Sequence, residues 1–408
     1  MASYWFHRNP FKWTAPVAFD YSWAVTHKDA HSLCRSLREG RGLLLKSLVA
    51  TDVTEEKMTE IFTHYVSLLL GFISAPEALG TESKLRFLQK FSWNSSITAT
   101  TWTQQDALYE ICCVVHNHAN WLSRSPARIS NAELTMEDAK QIHCSLKLSS
   151  GYYKLIQEEL VPRLVTSPER GSDLHPDTLL ASRLQVRAEA QEVTVARALE
   201  LGHAPGLLTG LCKDTAAIFK MADDSLAKVK LESFTKWRNY LQLKEKFYLA
   251  YARVSQAKEL LACDRCGDSI SSLQHAQKYY QEAERLSKSH GRARGTGAVL
   301  LSCSLYDFFT RLGRDIDTAL QKSLRENGFI YFHKVPDSPP DLDSPATFGC
   351  VEPPEVELPP ASDSWSVEAY TGFDLTKTGA LVKEKEQEVK ILKEPDLKPN
   401  KEARCSIA

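Results

Sequence analysis

The chain has 408 residues, of which 43% are hydrophobic and 25% charged, with a formal net charge of −1. That length supports one large domain or two ordinary ones with a sizeable core. The balanced charge leaves no basic excess to hold nucleic acid or anionic lipid, so neither class of binding is expected. The opening MASYWFHRNPFKWTAP lacks an apolar h-region and a small-residue cleavage site, so no secretory signal is expected. No Gly follows Met1, which argues against myristoylation. The longest apolar run, Val66 to Ile73, is broken by Ser67 and Gly71 and is too short to span a bilayer. Ten cysteines are scattered without a framework, as expected for reduced cytosolic thiols.

From about residue 30 to 330 the chain reads as helices. Leu33 to Leu48, Thr54 to Ile73 and Ser83 to Phe91 carry apolar residues at three- and four-residue intervals. Thr103 to Leu122, Glu133 to Val165 and Pro176 to Leu201 follow, and Pro205 opens another helix at a position where proline is tolerated. Phe234 to Leu261 and its neighbour, with Ile270, Leu273, Ala276, Tyr280, Ala283 and Leu286, form an αα-hairpin around a turn at Cys263–Gly267. Its small-then-aromatic alternation suits stacking into an irregular, tetratricopeptide-like solenoid with a concave, partner-gripping face. Cys263 and Cys266 have C-x-x-C spacing, but no second pair completes a four-ligand zinc site. His116 and His118 stand two apart on a helix and do not share a face, so both are read as structural. No metal site is expected. No G-x-S-x-G elbow, P-loop or H-E-x-x-H is present, and a non-enzymatic protein is expected.

Around residue 335 the character changes. Eight prolines between Pro336 and Pro360 force an extended course. Phe348, Trp365, Tyr370 and Phe373 within and beyond that run predict a strap (335–375) lying across the helical body. Residues 376–404 read as a charged, solvated tether. Between 381 and 404 it holds seven Lys/Arg and six Asp/Glu, which is no polybasic patch. The ending Cys405-Ser406-Ile407-Ala408 fits C-a-a-X, and a final Ala points to a farnesyl group on Cys405. Ser406, Ile407 and Ala408 would then be removed and the new terminus methylated. The covalent lipid would be the chain's one attached group, with no cofactor besides, and would carry a cytosolic protein to the cytoplasmic face of a membrane.

Several segments together resemble the BRO-domain family of Alix-like proteins. They are Glu326-Asn327-Gly328-Phe329-Ile330-Tyr331 leading to Val335-Pro336, the helix around Ala190-Gln191-Glu192, SKLRFLQKFSW at 83–93, GYYKLIQE at 151–158, and the opening FHRNPFKWTAPVAFDY. The resemblance covers about residues 1–375. It implies a mainly α, boomerang-shaped domain with a small N-terminal non-helical region. It also implies a groove for the amphipathic C-terminal helix of an ESCRT-III subunit, a charged multivesicular body protein, in membrane remodelling, sorting or repair at endosomes or the nuclear envelope. Helix-in-groove recognition needs apolar anchors spaced for i, i+3 and i+4 contacts. By the family's spacing from Gln191, the anchors fall on Thr194, Leu207 and Leu211, and the basic positions on Arg197 and Lys140. Other members carry a bulky aromatic where this chain has Thr194, which makes that corner smaller. Phe348 is added as a strap residue that would line the groove. A prenylated helical scaffold for other peptides is the alternative expectation.

Overall fold

The computed structural model describes residues 6–80, 82–129, 135–297, 303, 306–346, 349–376 and 394. The major helices are α1 (Lys28–Ser47), α2 (Glu55–Leu70), α3 (Ala107–Ser123), the short α4 (Ser125–Arg128), α5 (Met136–Leu155), α6 (Pro176–Glu200), α7 (Pro205–Val229), α8 (Thr235–Ala262), α9 (Cys266–Arg292) and α10 (Asp307–Glu326), with a last turn α11 (Val367–Thr371). Their starts follow local capping chemistry. The Thr54 side chain accepts from the Lys57 N–H, Asp106 accepts from Leu108, and Thr135 with Asp138 forms a capping box. Among the described residues no helix is long and apolar enough to cross a membrane.

Three expected helices are corrected. Ser83 to Phe91 is a set of turns running into β1 (Phe91–Asn94), which pairs antiparallel with β2 (Thr101–Gln104), and α3 starts only at Ala107. The strands carry Phe91, Trp93, Thr101, Trp102 and Thr103, aromatic and β-branched residues that favour a pleated surface. The bidentate contact of Arg86 with Asp106 then holds the turns against the start of α3. The long helix from Glu133 begins at Met136, and past Leu155 it loosens into a π-turn at Ile156–Leu160 before Pro162 ends it.

Two hydrophobic cores form. The first gathers α1, α2, α3, α5, the N-terminal segment and the end of the strap. The second gathers α7 to α10. Helix α6 is their common wall, giving Val186, Ala190 and Val193 to the first and Ala181, Leu184, Ala188, Val195 and Ala198 to the second. A helix apolar on two faces must be sandwiched, and this placement makes one continuous body of the solenoid.

The strap binds the stack crosswise. It passes α9 at Lys334, α8 at Pro340 and Asp341, α7 at Leu342 to Ala346, α6 at Gly349 to Val351, and α5 at Pro354. It then reaches α2, where Ser362 donates to the Ser67 carbonyl and the Trp365 indole to that of Leu68. At its end the Thr26 N–H donates to Gly372 and the Asp374 N–H to Ala24. Gly267 does not close the α8–α9 turn as expected. It lies in the first turn of α9, directly under the Lys334 carbonyl.

Helix α3 is buried along its whole length. Its polar groups are matched from outside: Arg41, Tyr65 and Trp93 all bond Glu110, and the Asn117 amide exchanges hydrogen bonds with the Lys12 backbone. The His118 ring stacks on Phe62 at 4.0 Å, and His116 meets the Tyr153 ring edge-on. Burial holds His116 at about 4 and His118 at about 3, well under the ordinary 6.5.

Two expectations follow. A β-carbon at Gly151 would lie 2.7 Å from the Pro354 carbonyl oxygen, whereas Gly42 in α1 has nothing within 4 Å. Gly151→Val should cost about 1–3 kcal/mol through overpacking and expose the strap to protease, and Gly42→Ala should gain up to about 1 kcal/mol from helix propensity. Urea titration and limited proteolysis of both variants check this. The histidines set an acid limit, because both stay neutral in the fold while the unfolded chain binds protons below its ordinary pKa. Stability is therefore complete above pH 6.5 and falls as the pH drops, each histidine costing about 2 kcal/mol at pH 5. Unfolding midpoints between pH 7 and 5 should show that loss, with a shallower pH dependence in His118→Gln.

Candidate functional site

The expected anchors lie on the α6–α7 hairpin. Pro176 opens α6 after the His175 cap, and Pro205 opens α7, each at a first position where the missing N–H costs nothing. Between them runs the turn Leu201–Ala204, with Gly202 at φ +65°. The hairpin is locked by the Ala190-Gln191-Glu192 segment. The Gln191 amide donates to Asp214 at 2.8 Å and accepts from the Val351 N–H at 3.2 Å, so one side chain ties α6, α7 and the strap. Glu192 receives the Lys244 ammonium at 2.6 and 2.8 Å, both groups fully buried. Burial pushes the carboxyl up and the ammonium down, and each partner opposes the other's shift. Neighbouring Glu189 accepts from Arg8, Gln185 and Tyr240.

The candidate residues are not equally presented. Leu211 is 1% exposed. Gly349 of the strap covers it: a β-carbon there, at φ +80°, would be 2.8 Å from the Thr194 methyl and 3.2 Å from Leu211. Thr194 and Leu211 therefore meet under the strap, and Pro345 closes over Gly210 beside them. The small side chain at 194 makes room for that crossing. Leu207 is only partly buried, packed on the second core at the start of α7. Leu199 and Leu201 expose 38% and 56% at the same end of the hairpin, an apolar surface that residue spacing did not single out.

The basic positions both face solvent. Arg197 pairs with Glu200 at 3.0 Å and Lys140 with Glu137 at 3.4 Å, each within its own helix and each side chain more than a third exposed. Exposed pairs of this kind hold weakly, which leaves both cations open to an acidic partner. Helices α5 and α6 run antiparallel, since the strap meets Gln191, then Arg187, then Gly151, then Lys154. Ser150 bonds the Arg183 carbonyl, so stepping ten residues back on α5 and ten forward on α6 puts Lys140 level with Val193. Lys140 on α5 and Arg197 on α6 therefore stand about one helical turn apart along the stack, on neighbouring helices. Phe348 and Cys405 lie outside the described residues.

The alternative chemical sites do not assemble. Cys263 is exposed while Cys266 is buried and donates its thiol to the Ser323 carbonyl at 3.3 Å. Among the described residues no group of three His, Cys, Asp or Glu could hold a metal.

A family model described as a BRO1-like domain matches residues 47–372. BRO1 domain-containing protein BROX of Danio rerio is 40% identical over 410 residues, covering 99% of this chain and all of that protein. BROX of Homo sapiens is 42% identical over 377 residues, 92% of each. In fold the chain is similar to ALIX BRO1 in its complex with CHMP4C, with TM-score 0.67 and 21% identity, over 88% of this chain and 97% of that one. It is also similar to a Bro1 domain solved as a basis for endosomal targeting, with TM-score 0.62 and 16% identity, over 86% of this chain and 92% of that one. The helical body, its crosswise strap and this match over most of the length make the chain a member of the BRO1 domain family.

Proposed function

We propose that this chain is a non-enzymatic adaptor. It holds the amphipathic C-terminal helix of an ESCRT-III charged multivesicular body subunit and joins it to a membrane through a farnesyl group on Cys405. The observation that carries the reading is the end of the α6–α7 hairpin, where partly buried Leu207 and exposed Leu199 and Leu201 accompany the solvent-facing Arg197, with Lys140 solvent-facing on the neighbouring α5. An apolar strip with basic flanks suits an amphipathic helix that carries acidic residues beside its apolar face. The fold shared with ALIX BRO1, solved in complex with CHMP4C, supports the partner class. Leu211, under the strap, acts here as the floor beneath the site, and Thr194 as the notch through which the strap passes.

A single prenyl chain on a near-neutral tail gives marginal, reversible attachment. In this reading the second contact is the hairpin bound to membrane-assembled ESCRT-III, and lipid and groove act together. The membrane served is an endosomal or nuclear-envelope surface.

Leu207→Asp should weaken binding of an ESCRT-III C-terminal peptide at least tenfold by titration, with the helical circular-dichroism signal unchanged, and unchanged affinity would sink the proposal. Arg197→Glu should weaken the same peptide about threefold to tenfold. Cys405→Ser should abolish radiolabelled farnesyl incorporation and membrane co-sedimentation in cells, and persistent labelling would exclude Cys405 as the acceptor.

A further inference from the structure

Residue 394, in the segment expected to run free as a tether, is held on the body. The Glu394 carboxylate accepts the Phe11 backbone N–H at 2.6 Å and pairs with the Arg124 guanidinium at 2.9 Å. The first contact closes across 383 residues of sequence. Neither side chain is loosely placed: Arg124 is 13% exposed and Glu394 19%. Arg124 also lies over the Phe11 ring at 4.1 Å and donates to the Asn9 carbonyl at 2.8 Å, so one face and one edge of the guanidinium are held apart from the carboxylate.

The body supplies a reason for a carboxylate at this place. The C-terminal end of α3 leaves carbonyls that need donors, and Arg8 and Arg128 come to them, Arg8 at Ser123 and Arg128 at Trp121. That gathers three arginines in a small volume. Glu189 pairs with Arg8, and Glu55 lies near enough to Arg128 to favour its charge. Arg124 is left with an unbalanced charge in a place where burial disfavours it, and Glu394 pulls in the opposite direction. A buried charge without a partner is costly, so the notch calls for an anion. A second donor, the Phe11 N–H, already points into it.

We propose that the notch formed by Arg124 and the Phe11 amide is a receptor for the chain's own C-terminal tail, latching Glu394 so that the terminal cysteine is presented beside the N-terminal segment and the end of α3. The geometry changes the reach of the terminus. From Thr376 a free tail of about 29 residues would let Cys405 wander up to about 100 Å, whereas from Glu394 about 11 residues allow about 40 Å. The latch more than halves the reach of the terminus. That this terminus carries a farnesyl group rests on the function proposed above; the latch itself does not.

The test uses the full chain carrying Cys405→Ser, so that it is blind to lipid, with and without Glu394→Gln. Loss of the latch should speed hydrogen exchange at the Phe11 amide about tenfold and tryptic cleavage at Lys390–Ile391 about fivefold, with exchange in α8 unchanged. Equal exchange at Phe11, or equal cleavage, in the two chains would overturn the latch. Equal acceleration throughout α8 would overturn it too, since Glu394 would then serve general stability. Incubation of the wild-type chain with a protein farnesyltransferase and farnesyl diphosphate, read by intact mass, tests the lipid separately. A chain with a protected Phe11 amide that takes up no farnesyl group would remove the farnesyl reading and leave the latch standing.

Discussion

A strap rich in proline can accept hydrogen bonds but has few donors to give, and the rest of the structure answers that asymmetry. Where it crosses the helical stack, the helices supply long donor side chains. Gln256 donates to the Pro340 and Asp341 carbonyls, Lys213 to Leu342 and Arg187 to Val351. Donors on three different helices thereby fasten to one extended segment. Where backbone must pass close to backbone, a helix offers glycine, as at Gly151 and Gly210. Stacked helical hairpins otherwise touch only their neighbours. The strap is what connects α9 to α1 directly, and its aromatic end, Trp365, Tyr370 and Phe373, is buried in the first core.

The second organising element is α6, which lies between two cores and carries charge in the middle of its length. Glu189 and Glu192 are buried at 0% and 2% exposure, each with a cation from another element. Pairs of this kind add little net stability relative to an apolar filling, but breaking one leaves an uncompensated charge. They therefore fix which element may lie against which. Arg8 must bring the N-terminal segment to α6, and Lys244 must bring α8. Lys12 repeats the device by meeting Asp173 at 2.9 Å. Register along the solenoid is set by these contacts as much as by the apolar stripes.

The N-terminal segment from Phe11 and the end of the strap converge on the first core. The N-terminal segment pairs with β1 at Thr14 and Trp93, and Val25 pairs with Phe373 of the strap. Glu394 then returns to Phe11. The candidate peptide site lies toward the end of the α6–α7 hairpin, whose inner wall is the strap itself. Site and strap are thus mechanically one object: Gly349 rests on Thr194 and Leu211, and Val351 hangs from Gln191.

What the sequence determined by itself was whatever local chemistry controls. Helical periodicity placed α1, α2 and α6 to α9, because an amphipathic stripe is visible in a window of a few turns. Proline density showed that residues 336–360 must be extended, because the ring fixes φ wherever the chain goes. The family's motifs carried the fold class, and the segment around Gln191 pointed to the hairpin that holds the candidate site. Only the tertiary structure decided the rest. The turns at 83–90 and the β1–β2 hairpin depend on Asp106 and the N-terminal segment, which are distant cues for a stretch whose own apolar spacing suggests helix. Gly267 carries one meaning as a turn residue and another beneath Lys334. Leu207 and Leu211 have the same composition and share one face of α7, yet one is partly open and the other closed, because the strap arrives from more than a hundred residues away. Glu394 looks like any charge in a mixed tail until Arg124 and Phe11 are brought beside it. Contacts closed over such separations leave no periodic trace in sequence, since neither partner needs a neighbour of any particular kind.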